Sequence, residues 1–71
     1  MKVEYQEWTI ESQPEQTGHY RHSRCSVERQ PSEDQADGQI FNFSDIGYFD
    51  TASAAHLRAI GWAKAWLDEN F

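Results

Sequence analysis

Seventy-one residues hold one cysteine, one methionine and two prolines. The lone thiol, Cys25, excludes an internal disulfide. Disulfide-free small chains fit compartments that keep thiols reduced, so a cytoplasmic setting is expected. Positive charge is also scarce: six Lys and Arg stand against twelve Asp and Glu, for a net charge of −6 and a pI near 4.8. An acidic surface repels phosphate backbones and anionic lipids, which disfavours nucleic acid and membrane as partners. No apolar run approaches the roughly 18 residues of a membrane span. The opening stretch MKVEYQEW lacks the apolar segment of a secretory leader.

Aromatic residues are plentiful, at 14% of the chain. Trp8, Trp62 and Trp66, with Tyr5, Tyr20, Phe41, Phe43 and Phe49, can each bury about 150–250 Å². This content and a periodic C-terminal segment argue against disorder despite a mean hydropathy of −0.87. A chain this short buries only about 60% of its unfolded surface. Domains of this size often add a disulfide, a metal or a partner. With one cysteine, oligomerisation is the expected addition.

The stretch from Tyr48 to Phe71 reads as one amphipathic helix. Thr51 is placed to cap it, because its hydroxyl can accept from an unpaired N–H of the first turn. Asp50 adds negative charge at the positive end of the dipole. Ala52, Ala55, Ala59, Ala63 and Trp66 recur at helical spacing, flanked by Ile60, Trp62 and Leu67. A stripe of alanines lets a helix lie close on a sheet.

Three strands are expected before it. Val3–Ile10 carries β-formers, but its apolar residues change parity between Tyr5 and Trp8, which implies two half-covered faces or a bulge. Glu11–Gly18 holds Pro14 and Gly18 and reads as a hairpin connection. His19–Glu28 is the second strand, with Tyr20 on one face and Cys25 and Val27 on the other. Arg29–Gly38 is a polar surface loop. Gln39–Ile46 is the third, with Phe41 and Phe43 on one face and Ile40 and Ile46 on the other. The expectation is an α+β fold in one β-β-β-α domain over residues 1–71: a three-stranded antiparallel sheet with one C-terminal helix packed on one face.

The helix pattern Phe49, Thr51, Ala55, Ile60, Trp62, Ala63, Trp66, Leu67, Asp68 resembles that of small stand-alone bacterial proteins of unknown function. In such proteins an aromatic-rich strand like Tyr5–Ile10 and a Pro-containing turn precede it. The resemblance implies the same short fold and brings no catalytic residues.

His19, His22 and Cys25 form an H-x2-H-x2-C run. On a strand, residues three apart point to opposite faces, whereas zinc needs ligands that converge; no metal site is expected. Cys25 as a nucleophile would need a histidine in contact and an orienting group; a buried, inert thiol is expected instead. His56 reads as a helix-boundary residue bonded to backbone, because acid–base work needs a cleft and a partner. Glu33, Asp34 and Asp37 lack the alternate spacing and closing Glu of a calcium loop. His19, Arg21, His22, Arg24 and Arg29 make the second strand locally basic. Arg21, Arg24 and Arg29 are the candidate contacts for an anion or an acidic partner, unless Glu4, Glu7 or Glu11 pairs them across the hairpin. The helix is apolar over more than half its circumference, wider than one sheet contact needs, with Leu57 and Phe71 at the edges of the stripe. Trp62, Trp66 and Phe71 are therefore candidate interface residues.

These readings converge on a non-catalytic cytosolic protein–protein interaction module that uses no cofactor and self-associates as a homodimer. A double-stranded-RNA-like binding domain is one alternative, weakened because Asp68 and Glu69 offset Arg58 and Lys64 on the helix. An acidic inhibitor or decoy that occupies a basic groove is the other.

Overall fold

A computed structural model describes residues 1–31 and 38–71. Its elements are β1 (Lys2–Tyr5), β2 (Trp8–Ser12), β3 (Glu15–Thr17), β4 (Tyr20–Arg29), β5 (Gln39–Phe49) and α1 (Ala52–Asn70). The fold is α+β, with the C-terminal helix packed on an antiparallel sheet of five strands, not the expected three. β4 is the spine. One of its edges pairs with β2 and, further along, with β3; its other edge pairs with β5; β1 flanks β2.

The two extra strands come from breaks inside expected single segments. Val3–Ile10 is a tight hairpin, with Tyr5 opposite Trp8. Gln6 takes a positive φ of 57°, a conformation uncommon without glycine. The turn at Gln6–Glu7 explains the parity change, since Tyr5 and Trp8 end on the same face. Glu11–Gly18 is mostly sheet rather than connection: β2 runs to Ser12, and β3 resumes at Glu15. Pro14, which has no N–H for the ladder, lies between them, while the Gln13 N–H donates to the Arg24 carbonyl at 3.1 Å. Only Gly18 and His19 form the turn, Gly18 at φ 62°.

Antiparallel partners share a face, so the register lists the rows of each side. Val3, Ile10, Val27 and Phe41 form one row toward the helix, and Ser12, Cys25 and Phe43 another. Glu4, Thr9, Glu28 and Ile40 form a row on the open face, next to Lys2, Glu11, Ser26 and Asn42. The alternation of buried and half-buried residues along β2 and β4 follows from this. A register shift lies between Ser23 and Cys25, where three residues of β5, Ser44–Ile46, oppose Arg24 alone. Asp45 is left-handed there, at φ 58°. The bulge turns Ile46 toward the core, so it does not share a face with Ile40.

Thr51 caps α1, its hydroxyl accepting from the Ala54 N–H at 3.1 Å. The buried line is Ala55, Ala59, Ala63 and Leu67; Ala52 is exposed and Trp66 half-buried. The core joins these alanines and Leu67 to Trp8, Ile10, Cys25 and Val27, with Tyr5, Phe41, Phe43, Ile46, Ile60, Trp62 and Trp66 packed around them. Two polar ties fix the helix. The buried Ser23 hydroxyl donates to the Ala55 carbonyl at 2.7 Å, and the Tyr5 hydroxyl donates to Asp68 Oδ1 at 2.6 Å. That carboxylate is also the chief reason the Tyr5 pKa is raised.

Candidate functional site

α1 lies over β4 and leans aromatic side chains to one side. Trp62 packs on Phe43 at 4.7 Å between ring centroids. Trp66 packs on Phe43 at 4.8 Å and on Phe41 at 5.1 Å. Phe71 packs on Trp8 at 4.9 Å yet stays 60% exposed. The three candidate interface residues thus belong to one aromatic wall, in which Trp62 and Trp66 are half-buried against β5 and Phe71 is exposed between Trp66 and Trp8 of β2. Leu57, expected at the edge of the stripe, is exposed on the outer surface of the helix.

Below this wall runs the outer edge of β5. Among the described residues, β5 pairs with β4 alone. Its eleven residues make it the longest strand, and it carries one charged residue, Asp45. Ile40 on its open face is 57% exposed. Free edge strands present unpaired N–H and C=O groups and are commonly blunted by charge, proline or a bulge. Here the bulge blunts only the middle. The Asp45 N–H donates to His22 Nε2 at 3.0 Å, and the His22 ring stacks on Tyr48 at 4.7 Å. His22 Nε2 is also 3.3 Å from Asp45 Oδ1. The N–H is an obligatory donor, so that nitrogen acts as an acceptor. Gln39–Phe43 remains straight.

The candidate anion contacts do not converge. Arg24 pairs with Glu15 at 2.6 Å on the open face. Arg29 lies 3.9 Å from Glu7, donates to the Gln39 side chain and covers Trp8 at 4.9 Å and Phe71 at 5.7 Å. Among the described residues its Nε is buried without a partner. Arg21 stands opposite Gln16 and Phe49. Glu7 thus takes its expected role, but Glu4 accepts from Thr9 and Glu11 pairs with Lys2; the partner of Arg24 is Glu15.

His19 is in a turn, His22 on the open face, and Cys25 buried beneath the helix. Burial pushes the Cys25 thiol up to about 11, which leaves it un-ionised at neutral pH. Among the described residues, no three His, Cys, Asp or Glu gather as metal ligands. Glu33, Asp34 and Asp37 lie outside the described residues. His56 bonds the buried Ser12 hydroxyl at 2.8 Å, a side-chain partner rather than the expected backbone one. A depression of about 470 Å³ opens on the free sheet face, lined by Gln13, Glu15, His22, Arg24, Ser26 and Asn42. Its one cation, Arg24, is already neutralised by Glu15. Sequence reasoning missed the β5 edge because strand order is not written in periodicity; its low charge was the available signal.

Among the described residues, no helix is long and apolar enough to cross a membrane. Comparison with protein-family models, with curated proteins and with solved structures finds no match.

Proposed function

We propose that this protein is a non-catalytic interaction module that recognises protein through the outer edge of β5 and the aromatic wall above it. The observation that carries the reading is the long, nearly uncharged strand whose outer edge no described segment covers. Main-chain hydrogen bonds along such an edge supply affinity, and side chains above and below it supply specificity. Trp62 and Trp66, packed on Phe43 of β5, stand where those side chains would be read, and Phe71 extends the wall beyond Trp66. The dispersal of Arg21, Arg24 and Arg29, two of them ion-paired, weakens a nucleic-acid reading, which needs clustered cations. The buried thiol and the neutralised Arg24 give no support to an enzyme.

Ile40→Lys combined with Asn42→Lys places two charges on exposed positions of the edge, the device by which natural edges resist pairing. A wild-type tagged chain should engage a discrete protein, itself or another, that the double variant loses. If both chains engage the same set, or none, the edge is not the contact surface.

A further inference from the structure

We infer that the occupant of the β5 edge is a second copy of this chain, joined by antiparallel β5–β5′ pairing across a two-fold axis near Phe41. The inference rests on the interaction-module reading and names its partner.

Three observations select a second copy. The first is charge. Of the twelve acidic residues, β5 holds only Asp45, while Glu4, Glu7, Glu11, Glu15 and Glu28 lie on or between β1 and β4. A basic partner would be drawn to those strands. The segment Gln39–Phe43 carries no charge of its own, so a chain of net charge −6 can pair there without like charges in register along those five residues, and salt screens charges beyond about 8–10 Å.

The second is the register. Gln39–Phe43 is straight up to the bulge. A two-fold axis at Phe41 sets Phe41 against its own copy, Gln39 against Phe43 and Ile40 against Asn42. No charged residue faces another, and the bulge with Asp45 falls outside the paired segment.

The third is the spacing of the helices. Pairing would make one continuous sheet with both helices on the same face. Each helix sits over β4, so the two β4 strands would be three strand spacings apart, about 14 Å. Helices pack at about 8–10 Å. The remaining ~4–6 Å is a gap that small side chains would leave empty. The residues facing it are Trp62 and Trp66, the largest side chains available, whereas the opposite flank of the helix carries Lys64 and Asp68 against Tyr5. The paired segment Gln39–Phe43 is about 17 Å long and the meeting surface about 20 Å tall, roughly 340 Å² per chain. Twice that, about 700 Å², lies below the ~1,200 Å² of stable specific interfaces and makes the pairing a weak, concentration-dependent one. Two-fold pairing is the commonest closed assembly.

Sedimentation velocity from about 10 μM to about 1 mM, a range that brackets a dissociation constant of about 0.1 mM, tests the inference. The expected result is a concentration-dependent rise from 8.3 kDa toward twice that mass. The Ile40→Lys/Asn42→Lys chain, which sets lysines opposite one another across the axis, should stay monomeric or weaken the dimer at least about tenfold, with near-ultraviolet circular dichroism unchanged. A wild-type monomer at 1 mM overturns the inference, as does a dimer that the lysines leave intact. A monomer whose lysine variant loses a discrete foreign protein overturns the second copy but leaves the interaction reading standing. A monomer whose variant loses nothing overturns both.

Discussion

Ala59 and Ala63 have no exposed surface, and leucine at either position tests how close the helix lies on the sheet. Each stands in the cluster that contains Ile10, Cys25 and Val27. Leucine adds three carbons to a contact already closed to solvent. Such overpacking typically costs about 1–3 kcal/mol, because the core must shift or adopt poor rotamers. For a chain of this length each kcal/mol lowers Tm by about 4–8 °C. Ala59→Leu and Ala63→Leu should each lower it by at least about 4 °C. The urea midpoint should fall with the slope unchanged. Ala65→Leu is the control, on an exposed position of the same helix, and should stay within about 0.5 kcal/mol of the parent. The double Ala59→Leu/Ala63→Leu chain should be largely unfolded if total stability is in the usual range for small domains. Equal midpoints for the Ala63 and Ala65 variants would refute the close contact.

Thr51→Ala removes the side-chain acceptor of the Ala54 N–H and should cost about 0.5–2 kcal/mol in thermal unfolding, whereas Thr51→Ser should cost far less. Gly61→Ala should stabilise by about 0.4–1 kcal/mol, since Gly61 lies inside α1 with nothing within 4 Å of an added Cβ. The Cys25 thiol is raised from 9.0 to about 11 by burial. A folded-state pKa above the unfolded one gives stability that is complete below pH 9 and lost as pH rises through about 11. The parent should therefore lose more stability than Cys25→Ala across that window. Tyr5, raised in the same direction, contributes equally to both chains and cancels in the comparison.

The helix was legible from its residues because its signals are local: a capping hydroxyl at Thr51 and an apolar stripe of period 3.6. Ala55, Ala59 and Ala63 are legible from spacing alone, and the buried line continues at the same i+4 spacing to Leu67, with Trp66 half-buried beside it. The antiparallel sheet under one helix was also legible. The strand count was not, because Gln6–Glu7 turns without Gly, Asn or Asp, the residues that usually mark a two-residue hairpin. Pro14 signals a connection in sequence but only interrupts a strand edge. The misplacement of Ile46 came from Asp45, whose left-handed backbone resets the alternation of β5 and is held by His22, a residue distant in sequence. The aromatic wall of Trp62, Trp66 and Phe71 was visible as an excess of apolar arc. The free edge beneath it depends on strand order, which is set by long-range pairing.

Amide hydrogen exchange along β5 at about 10 μM and about 1 mM, on either side of a dissociation constant of about 0.1 mM, tests the central claim most directly. The outward amides of Gln39–Phe43 should exchange more slowly at the higher concentration, while those of β1, at the opposite edge of the sheet, should not change. Identical rates at both concentrations along Gln39–Phe43, or slowing confined to β1, would contradict it.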